Sequence, residues 1–499
     1  MRFRTQFFLV RRGALAVAAT AGLVLGTSAG VAQAYTTQAR TTQARTAPGA
    51  WHKAINVPGL AARHTSGAGT GPVSCGAAGD CLAAGDLSGG RPFVVSQVRG
   101  KWDPAQLVRG MAGLNTGHSA GIASVSCTSP GNCTIGGAYE DKSHHGHAWV
   151  ASQVRGRWGR AHQLPGMAAL NKGNGSGVGS ISCVSIGNCS ADGSYTDVKR
   201  HAQPFVASEV KGTWHDVQAV AGVAALATYG TAGIGTVSCR SAGDCSAGGN
   251  YRDGRYTQDA FVVSEVHGQW GQAEPVPGLK ALNTGGSAAL NSLACGGPGD
   301  CLTGGVYSDP AGNRFTFVAS QVNGTWGNAQ QVPGMTALAQ FGDGEVDTVA
   351  CASAGNCVAG GIAGVNNGYD VNGGGQAFVA SQTDGTWGQA EIIPGTGRLN
   401  SGADGGTVTL SCPRAGACTA AGYYGVGQNG NKVYNLEVFV DSENAGKWGQ
   451  AEEIPGTRAL NTGQWAFMGQ VSCPAQDRCS ATGNYTGKKG GPGFLVSQS

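Results

Sequence analysis

Charge is scarce in this sequence. Charged residues make up 12% of the 499 positions, about half the usual share. The formal net charge is +4, and Arg2, Arg4, Arg11 and Arg12 near the N-terminus supply all of it. The rest of the chain is neutral, which leaves no electrostatic hold on nucleic acid or on an anionic membrane. Neither is expected as a partner. Beyond the N-terminus no apolar run reaches the length of a spanning helix, so no membrane insertion is expected. No cysteine stands alone and no histidine recurs at a fixed place, so thiol chemistry and a repeated metal site both lack their groups.

The N-terminus carries the signs of export. "MRFRTQFFLVRR" is basic, Gly13 to Val31 is small and apolar, and Ala32 to Ala34 fits a signal-peptidase site. Residues 1–34 are read as a signal peptide and the protein as secreted and extracellular. Arg11-Arg12 leaves the route open between the general and the twin-arginine pathway. No cysteine precedes Cys75, which removes a lipid anchor. Residues 35–50 repeat TTQAR without apolar periodicity and read as a disordered linker.

What is abundant is glycine, 87 residues, and repetition. The sixteen cysteines fall into C-x5-C pairs: Cys75/Cys81, Cys127/Cys133, Cys183/Cys189, Cys239/Cys245, Cys295/Cys301, Cys351/Cys357, Cys412/Cys418 and Cys473/Cys479. In an exported chain such pairs read as eight local disulfides, and the spacing is not one that zinc sites use. Each repeat carries four strand signals. "SVSC" turns through a Gly-Asp or Gly-Asn into "CSAGGNY", with the two cysteines flanking the turn and placed to staple the two strands. A third, "FVVSEV" from Phe261, alternates cleanly, and a Gly-x-Trp turn leads to "WGQAEPVPG". Four short strands per repeat, joined by hairpin turns, is the form of a propeller blade.

The two ends of the chain complement one another. The last repeat stops after a third strand, "GFLVSQS", and the first begins at Trp51 with only a fourth. Together they make one blade, and joining them removes two exposed sheet edges. Residues 51–499 are therefore read as an all-β, eight-bladed β-propeller of four-stranded blades, one disulfide per blade, closed by the N-terminal strand.

The second strand carries two glycines and a tyrosine, as in "GGAY" from Gly136, "GGNY" from Gly248 and "GGVY" from Gly304, with a tryptophan further on. In this the chain resembles the kelch and galactose-oxidase class of propellers. It departs from the oxidase, whose copper-radical chemistry needs an unpaired cysteine crosslinked to tyrosine. That activity is not expected, nor is any cofactor.

Residues shared by most repeats belong to the scaffold. Trp51, Trp102, Trp158, Trp214, Trp270, Trp326, Trp387 and Trp448 hold one position in all eight, and tyrosine recurs in six. Asp141, Asp197, Asp253 and Asp309 follow the tyrosine where a carboxylate caps a turn. The three histidines of "EDKSHHGH" read as a solvated loop. Variation concentrates on the face holding the strand 2–3 loops and the blade connections, and binding is expected there. Two long loops, Gly364 to Gln376 and Tyr424 to Asn435, are rich in Asn, Gly and Tyr and supply Tyr369, Asp370 and Tyr424 as candidate contacts. Sixth before the first cysteine, the repeats read Gly69, Gly121, Gly177, Gly233, Ala289, Glu345, Gly406 and Phe467. Fourth before it they read Gly71, Ala123, Gly179, Gly235, Asn291, Asp347, Val408 and Gly469. Two repeats break the preference for small residues: one with Asp343, Glu345 and Asp347, the other with Trp465 and Phe467. In extended chain, period two places each set on one side.

The expected function is secreted, non-catalytic, lectin-like recognition of a glycan or glycosylated surface. Exported propellers with a Gly/Ala-rich leader are also similar to the lectin-like subunits of actinobacterial umbrella toxin particles. That resemblance implies other secreted subunits as partners and a targeting role in an antibacterial assembly. Two alternatives stay open. A polysaccharide hydrolase or lyase would need carboxyl pairs roughly 5 to 9.5 Å apart, or a base with a bound uronate, and no matching His, Tyr or Arg set accompanies the acidic cluster. The other is a protein-interaction scaffold.

Exported protein is expected to begin near Tyr35 and to hold no free thiol. Intact-mass measurement after alkylation without reductant checks both points, and alkylated cysteine in folded protein would overturn the eight-disulfide reading.

Overall fold

The computed structural model of the chain describes residues 49–60, 68–339, 342–364, 375–401, 405–428, 431–487 and 493–499. The expected signal peptide and nearly all of the expected linker lie outside them. The described residues form eight antiparallel sheets. Seven have their strands in sequence order, and the eighth takes its outer strand from the N-terminal end. The blades are numbered from the one holding Cys75. In blade three, Ser176–Ser185 pairs with Asn188–Thr196, which pairs with Ala202–Val210, and Thr213–Trp214 pairs last.

All eight expected disulfides are formed, each stapling the first strand of a blade to the second. In blades one to six the bonded cysteines stand directly opposite one another in the ladder, as Cys75 does to Cys81 and Cys239 to Cys245. In blades seven and eight the Cys412–Cys418 and Cys473–Cys479 bonds span a slip in register. A loop that short contributes about 2 kcal/mol each in the chain-entropy account.

In five blades the two cysteines of a pair differ in burial, and in blades five, six and eight both are buried. The second of every pair is buried: Cys81, Cys133, Cys189, Cys245, Cys301, Cys357, Cys418 and Cys479. Each belongs to the apolar cluster of its seam, Cys81 beside Val73 and Trp102, Cys245 beside Val237, Cys418 beside Leu410 and Cys479 beside Val471. The cause is position. The second strand lies inside its sheet with a neighbouring blade against it, whereas the first borders the axis, where Cys75, Cys127, Cys183, Cys239 and Cys412 stay only partly covered. The disulfides are scaffold and contribute nothing to a binding surface.

The eighth blade is built from both ends of the domain. Ile55 and Asn56 pair with Leu495 and Phe494, and Trp51 bridges to Gln498. Pairing begins slightly earlier than expected, since Gly49 N–H donates to Ser499 O at 3.0 Å. The fourth strand differs from the continuous segment the sequence suggests. In blade two it pairs at Arg157–Trp158, leaves the sheet, and returns at His162–Gln163. The cause is a bond to the neighbouring blade: between the two pieces, Ala161 N–H turns away and donates to Arg109 O at 2.8 Å. The same bond recurs at every seam, including Ala105 to Pro58 and, across the closure, Ala54 to Pro455 at 2.7 Å. After it the chain runs through a glycine of positive φ, such as Gly166 at 73°, and in the seven connections described beyond it into a one-turn helix such as Met167–Leu170. The first residue of that turn is buried, Met167 fully so.

The core lies between blades. Each seam holds one apolar cluster built from two adjacent sheets; that of blade three joins Ala148, Val150 and Leu164 of blade two to Ile181, Phe205 and Trp214. Around the axis, serine hydroxyls occupy the free edge of the innermost strand. Cys127 N–H donates to Ser74 Oγ at 3.0 Å and Cys183 N–H to Ser126 Oγ at 2.9 Å, and Cys75 closes the circle on Ser472. The "SC" of the repeat is thus a bond to the following blade.

The second glycine of the paired glycines is needed for close approach. The first strand slips register near the residue four before its cysteine, as between Ile122 and Ser124. This bulge brings Gly121 O to within 2.0 Å of where a Cβ on Gly137 would stand. The equivalent glycine meets the same kind of carbonyl in every blade, for example Gly361 at Glu345 O and Gly422 at Gly406 O.

Glutamine or glutamate near the end of the third strand fills each seam with polar contacts. Gln321 accepts from Ser246 Oγ at 3.1 Å and donates to Ser264 Oγ at 3.0 Å. Glu265 accepts from Ser190 and Ser208 at 3.0 and 2.8 Å. Glu209, 5% exposed, stands in the same column with its Oε2 unbonded. Burial pushes its carboxyl from 4.5 up to about 7.

Closure and the seams can each be tested by one change. Deleting Trp51–Leu60 removes the outer strand of blade eight, the Ala54 bond and the buried Trp51. A melting temperature lower by about 10 °C or more, or aggregation, is expected, and an unchanged melting temperature would show the ring does not depend on this strand. Glu209 tests the seam. Its folded pKa is raised, so its contribution is complete below 4.5 and is lost as the pH climbs through about 7. Glu209→Gln should therefore stabilise by about 2–3 kcal/mol at pH 8 and by little near pH 4.5; equal effects at both pH values would rule out titration as the cause.

Candidate functional site

On the face opposite the disulfide turns, each seam is closed by two side chains. One follows the paired glycines of a blade; the other is the residue six before the first cysteine of the next. A Cβ on Gly177 would stand 3.1 Å from Ala138 Cβ, one on Gly121 would stand 3.2 Å from Asp86, and one on Gly69 would stand 3.5 Å from Asn484 Oδ1. The seam is tight at Gly121, Gly177 and Gly406 and in ordinary contact at Gly69 and Gly233, and six blades keep Gly or Ala there. The exceptions, Glu345 and Phe467, have to be accommodated.

Phe467 is accommodated by turning outward. It lies beside Tyr423 of blade seven, ring centres 6.3 Å apart, and beside Trp465, 6.0 Å apart at 26°. Trp465 is 47% exposed and Phe467 41%, so neither is packed as core. The main chain holds the tryptophan in place: its N–H donates to Thr486 Oγ1 at 3.0 Å and its carbonyl accepts from Thr486 N–H at 2.7 Å. Rings near 6 Å apart and half exposed form a platform against which the apolar C–H face of a pyranose can stack.

Glu345 is accommodated by pairing. It bonds the guanidinium of Arg314 in blade five and accepts from Asn291 Nδ2 at 2.8 Å. Asn291 also donates to Val346 O at 2.9 Å. Asp347 is the extra residue of the bulge, since register skips between Val346 and Thr348. Burial, with the charge of Glu345 behind it, pushes its carboxyl up to about 7. It has no hydrogen-bond partner among the described residues.

The acidic triplet is therefore not one row. Period two would align Asp343, Glu345 and Asp347, but the bulge breaks the alternation at Asp347. Asp343 lies at the strand's entry, 4% exposed, bridged to the backbone of Arg314. Among the described residues, no three His, Cys, Asp or Glu side chains are grouped to hold a metal ion.

Tyr424 has to be taken from the site. It is 1% exposed and its hydroxyl donates to Glu453 at 2.9 Å; it is the scaffold tyrosine of its blade, as Tyr485 is where it donates to Asn56. Its neighbour Tyr423 faces the platform instead. Sequence reasoning missed Tyr423, Arg314 and Asn291, although Tyr423 carries a signal, being the large residue directly after the paired small residues. Tyr369 and Asp370 lie outside the described residues.

Asp141, Asp197 and Asp309 cap their turns as expected, whereas Asp253 accepts from Lys280 instead. Asp141 accepts from Ser143 and His145 N–H at 2.8 and 3.1 Å, and Asp309 does the same for Ala311 and Asn313. The imidazole of His147, 3.0 Å away, draws the Asp141 carboxyl down to about 2. On the opposite face, clefts of 420 to 530 Å³ open between blades. They are lined by the turn glycines, disulfide cysteines and seam residues that every blade shares, so they are a product of the repeat.

These features define an eight-bladed β-propeller with one disulfide per blade, a distinctive aromatic platform and an adjacent acidic arm. No protein-family model matches the chain, and no curated protein matches it. Among solved structures it is similar to the YCF48 protein of Cyanidioschyzon merolae, at 11% identity over 76% of this chain and 95% of that one, with a TM-score of 0.41. It is similar to an ulvan lyase of polysaccharide lyase family 25, at 10% identity over 89% and 96%, with a TM-score of 0.42. A Hadza microbial sialidase matches at 12% identity over 68% of each chain, with a TM-score of 0.36. Likeness this low carries no chemistry across. Eight disulfides are consistent with an extracellular protein, and no described helix is long and apolar enough to cross a membrane.

Proposed function

We propose that this protein is a secreted, lectin-like binding propeller whose ligand is a glycan held on the Trp465–Phe467–Tyr423 platform. The observation that supports this is the exposed, stacked pair at a seam where six other blades keep Gly or Ala. Packing does not require these rings, since both are half exposed. A blade that needed only closure would have the small residue.

Binding is favoured over catalysis by the state of the acids. Glycoside hydrolysis uses two carboxyl groups in complementary roles. Here Glu345 is engaged by Arg314 and Asn291, and Asp343 is buried. That leaves Asp347, itself largely buried, as the carboxyl of the cluster with no hydrogen-bonded partner among the described residues. Its raised pKa would suit a general acid, but the cluster offers it no second carboxyl to work with. Recognition of a target surface on behalf of partner subunits in a larger secreted assembly fits the same platform.

The test is a glycan array on the purified chain followed by Trp465→Ala. Substitution is expected to weaken binding by about tenfold or more and to move the melting temperature little, because the ring is half exposed. A loss of stability of the size that deleting a core tryptophan brings, about 3–5 kcal/mol, with binding intact, would return Trp465 to the scaffold.

A further inference from the structure

The seam contacts run without a break from the acidic arm to the aromatic platform. Arg314 bonds Glu345, and Glu345 pairs across its sheet with Ile362. Ile362 lies against Gly406, whose Cβ would stand 2.6 Å from Ile362 Cγ1. Gly406 pairs with Tyr423, Tyr423 meets Phe467, and Phe467 meets Trp465. Asp347 belongs to this arc. The residue four before the cysteine can reach the next blade: Asn291 bonds Val346 O, a Cβ on Gly469 would meet Gly71 O as closely as Thr482 of its own blade, and one on Gly179 would meet Asp192 of its own blade at 3.0 Å and Gly235 at 3.4 Å. The strand of Asp347 packs beside the strand carrying Gly406 and Val408, between the two ends of the arc.

Charge along this arc has one free sign. Its guanidinium, that of Arg314, is held by Glu345. Asp347 has no cation within hydrogen-bonding distance among the described residues, although the same Arg314 guanidinium acts on its carboxyl through charge, against burial and Glu345. Aromatic faces present the negative side of their quadrupole and attract cations. A carboxylate, sulfate or phosphate on the ligand would therefore meet Asp347 and three aromatic faces, with no free cation of the described arc to receive it. A protonated amine would meet both favourably.

We propose that the ligand is an amino-bearing oligosaccharide, stacked on Trp465, Phe467 and Tyr423, with a protonated amine donating to Asp347, and that acidic glycans are rejected. This rests on the platform reading of the preceding section. Two centre-to-centre steps of about 6 Å, Trp465 to Phe467 and Phe467 to Tyr423, suit consecutive sugar units better than a single terminal one.

The experiment uses the full chain with three hexasaccharide probes: β-1,4-linked N-acetylglucosamine, the same chain fully de-acetylated, and hyaluronan. The de-acetylated hexamer is expected to bind about tenfold tighter than its acetylated form, the worth of one charge-assisted hydrogen bond, and hyaluronan not measurably. Asp347→Asn should bring the amino and acetylated hexamers to within about threefold. Trp465→Ala should weaken both. Equal affinity for the two hexamers, or a preference that survives Asp347→Asn, overturns the amine assignment and leaves the glycan reading standing. Tightest binding of hyaluronan overturns it too. Binding of none of the three, with none on the array, removes both readings together.

Discussion

Each blade of this ring is held to the next by a main-chain hydrogen bond that neither sheet could make alone. At every seam an outer-strand N–H leaves its own sheet for the carbonyl that precedes the glycine of the preceding blade's connection. The consequences reach through the fold. The outer strand has to break in two, the chain has to turn at a glycine of positive φ, and a one-turn helix has to carry it across to the next inner strand. A bond of this kind is worth only about 1 kcal/mol. Its force lies in repetition around a closed circle: none can be lost locally without opening a seam, and the Ala54 to Pro455 bond makes the N-terminal strand part of the same circle.

This is also why the architecture was legible in the sequence and several of its details were not. Blade number, strand order, the disulfides and the split eighth blade are all written as repeated columns, and a column exposes what every blade needs. A column does not say how deep it lies: Cys81, Cys245 and Cys418 are core while their partners Cys75, Cys239 and Cys412 are only partly covered, yet Cys295, Cys351 and Cys473 of that same first column are buried. A main-chain bond between blades leaves no mark at all, because any residue but proline supplies an N–H. The broken fourth strand therefore read as continuous. The bulge before each cysteine was hidden for a related reason. It appears in the sequence only as small residues, and these suggested open space where the backbone was in fact changing register. Asp343, Glu345 and Asp347 were aligned on paper by a period that the bulge interrupts at Asp347.

Tyr423 and Tyr424 show how sharp the boundary is. In a strand, neighbouring residues face opposite sides, so an error of one position exchanges core for surface. Tyr424 keeps the buried place that tyrosine holds in other blades, with its hydroxyl on Glu453. Tyr423 occupies the seam position that elsewhere holds Ala138, Ser194 or Asn250. The column containing Tyr424 could have been recognised as scaffold on repetition alone. That Tyr423 would meet Phe467 could not, since this requires knowing which residue of one blade faces which residue of the next.

Crowding at the tight seams gives the exceptions their meaning. Where a side chain would collide with the neighbouring blade, a large residue survives only if it is redirected, and the two redirections differ. Glu345 is drawn along the seam by Arg314 and Asn291, which use its charge within the protein. Phe467 is instead left, with Trp465, presenting apolar surface to water. Exposing two aromatic rings gains the ring of blades nothing in stability, and a folded neighbour could have covered them. They stand at one seam of eight, where the repeat has been broken and not where it is most regular.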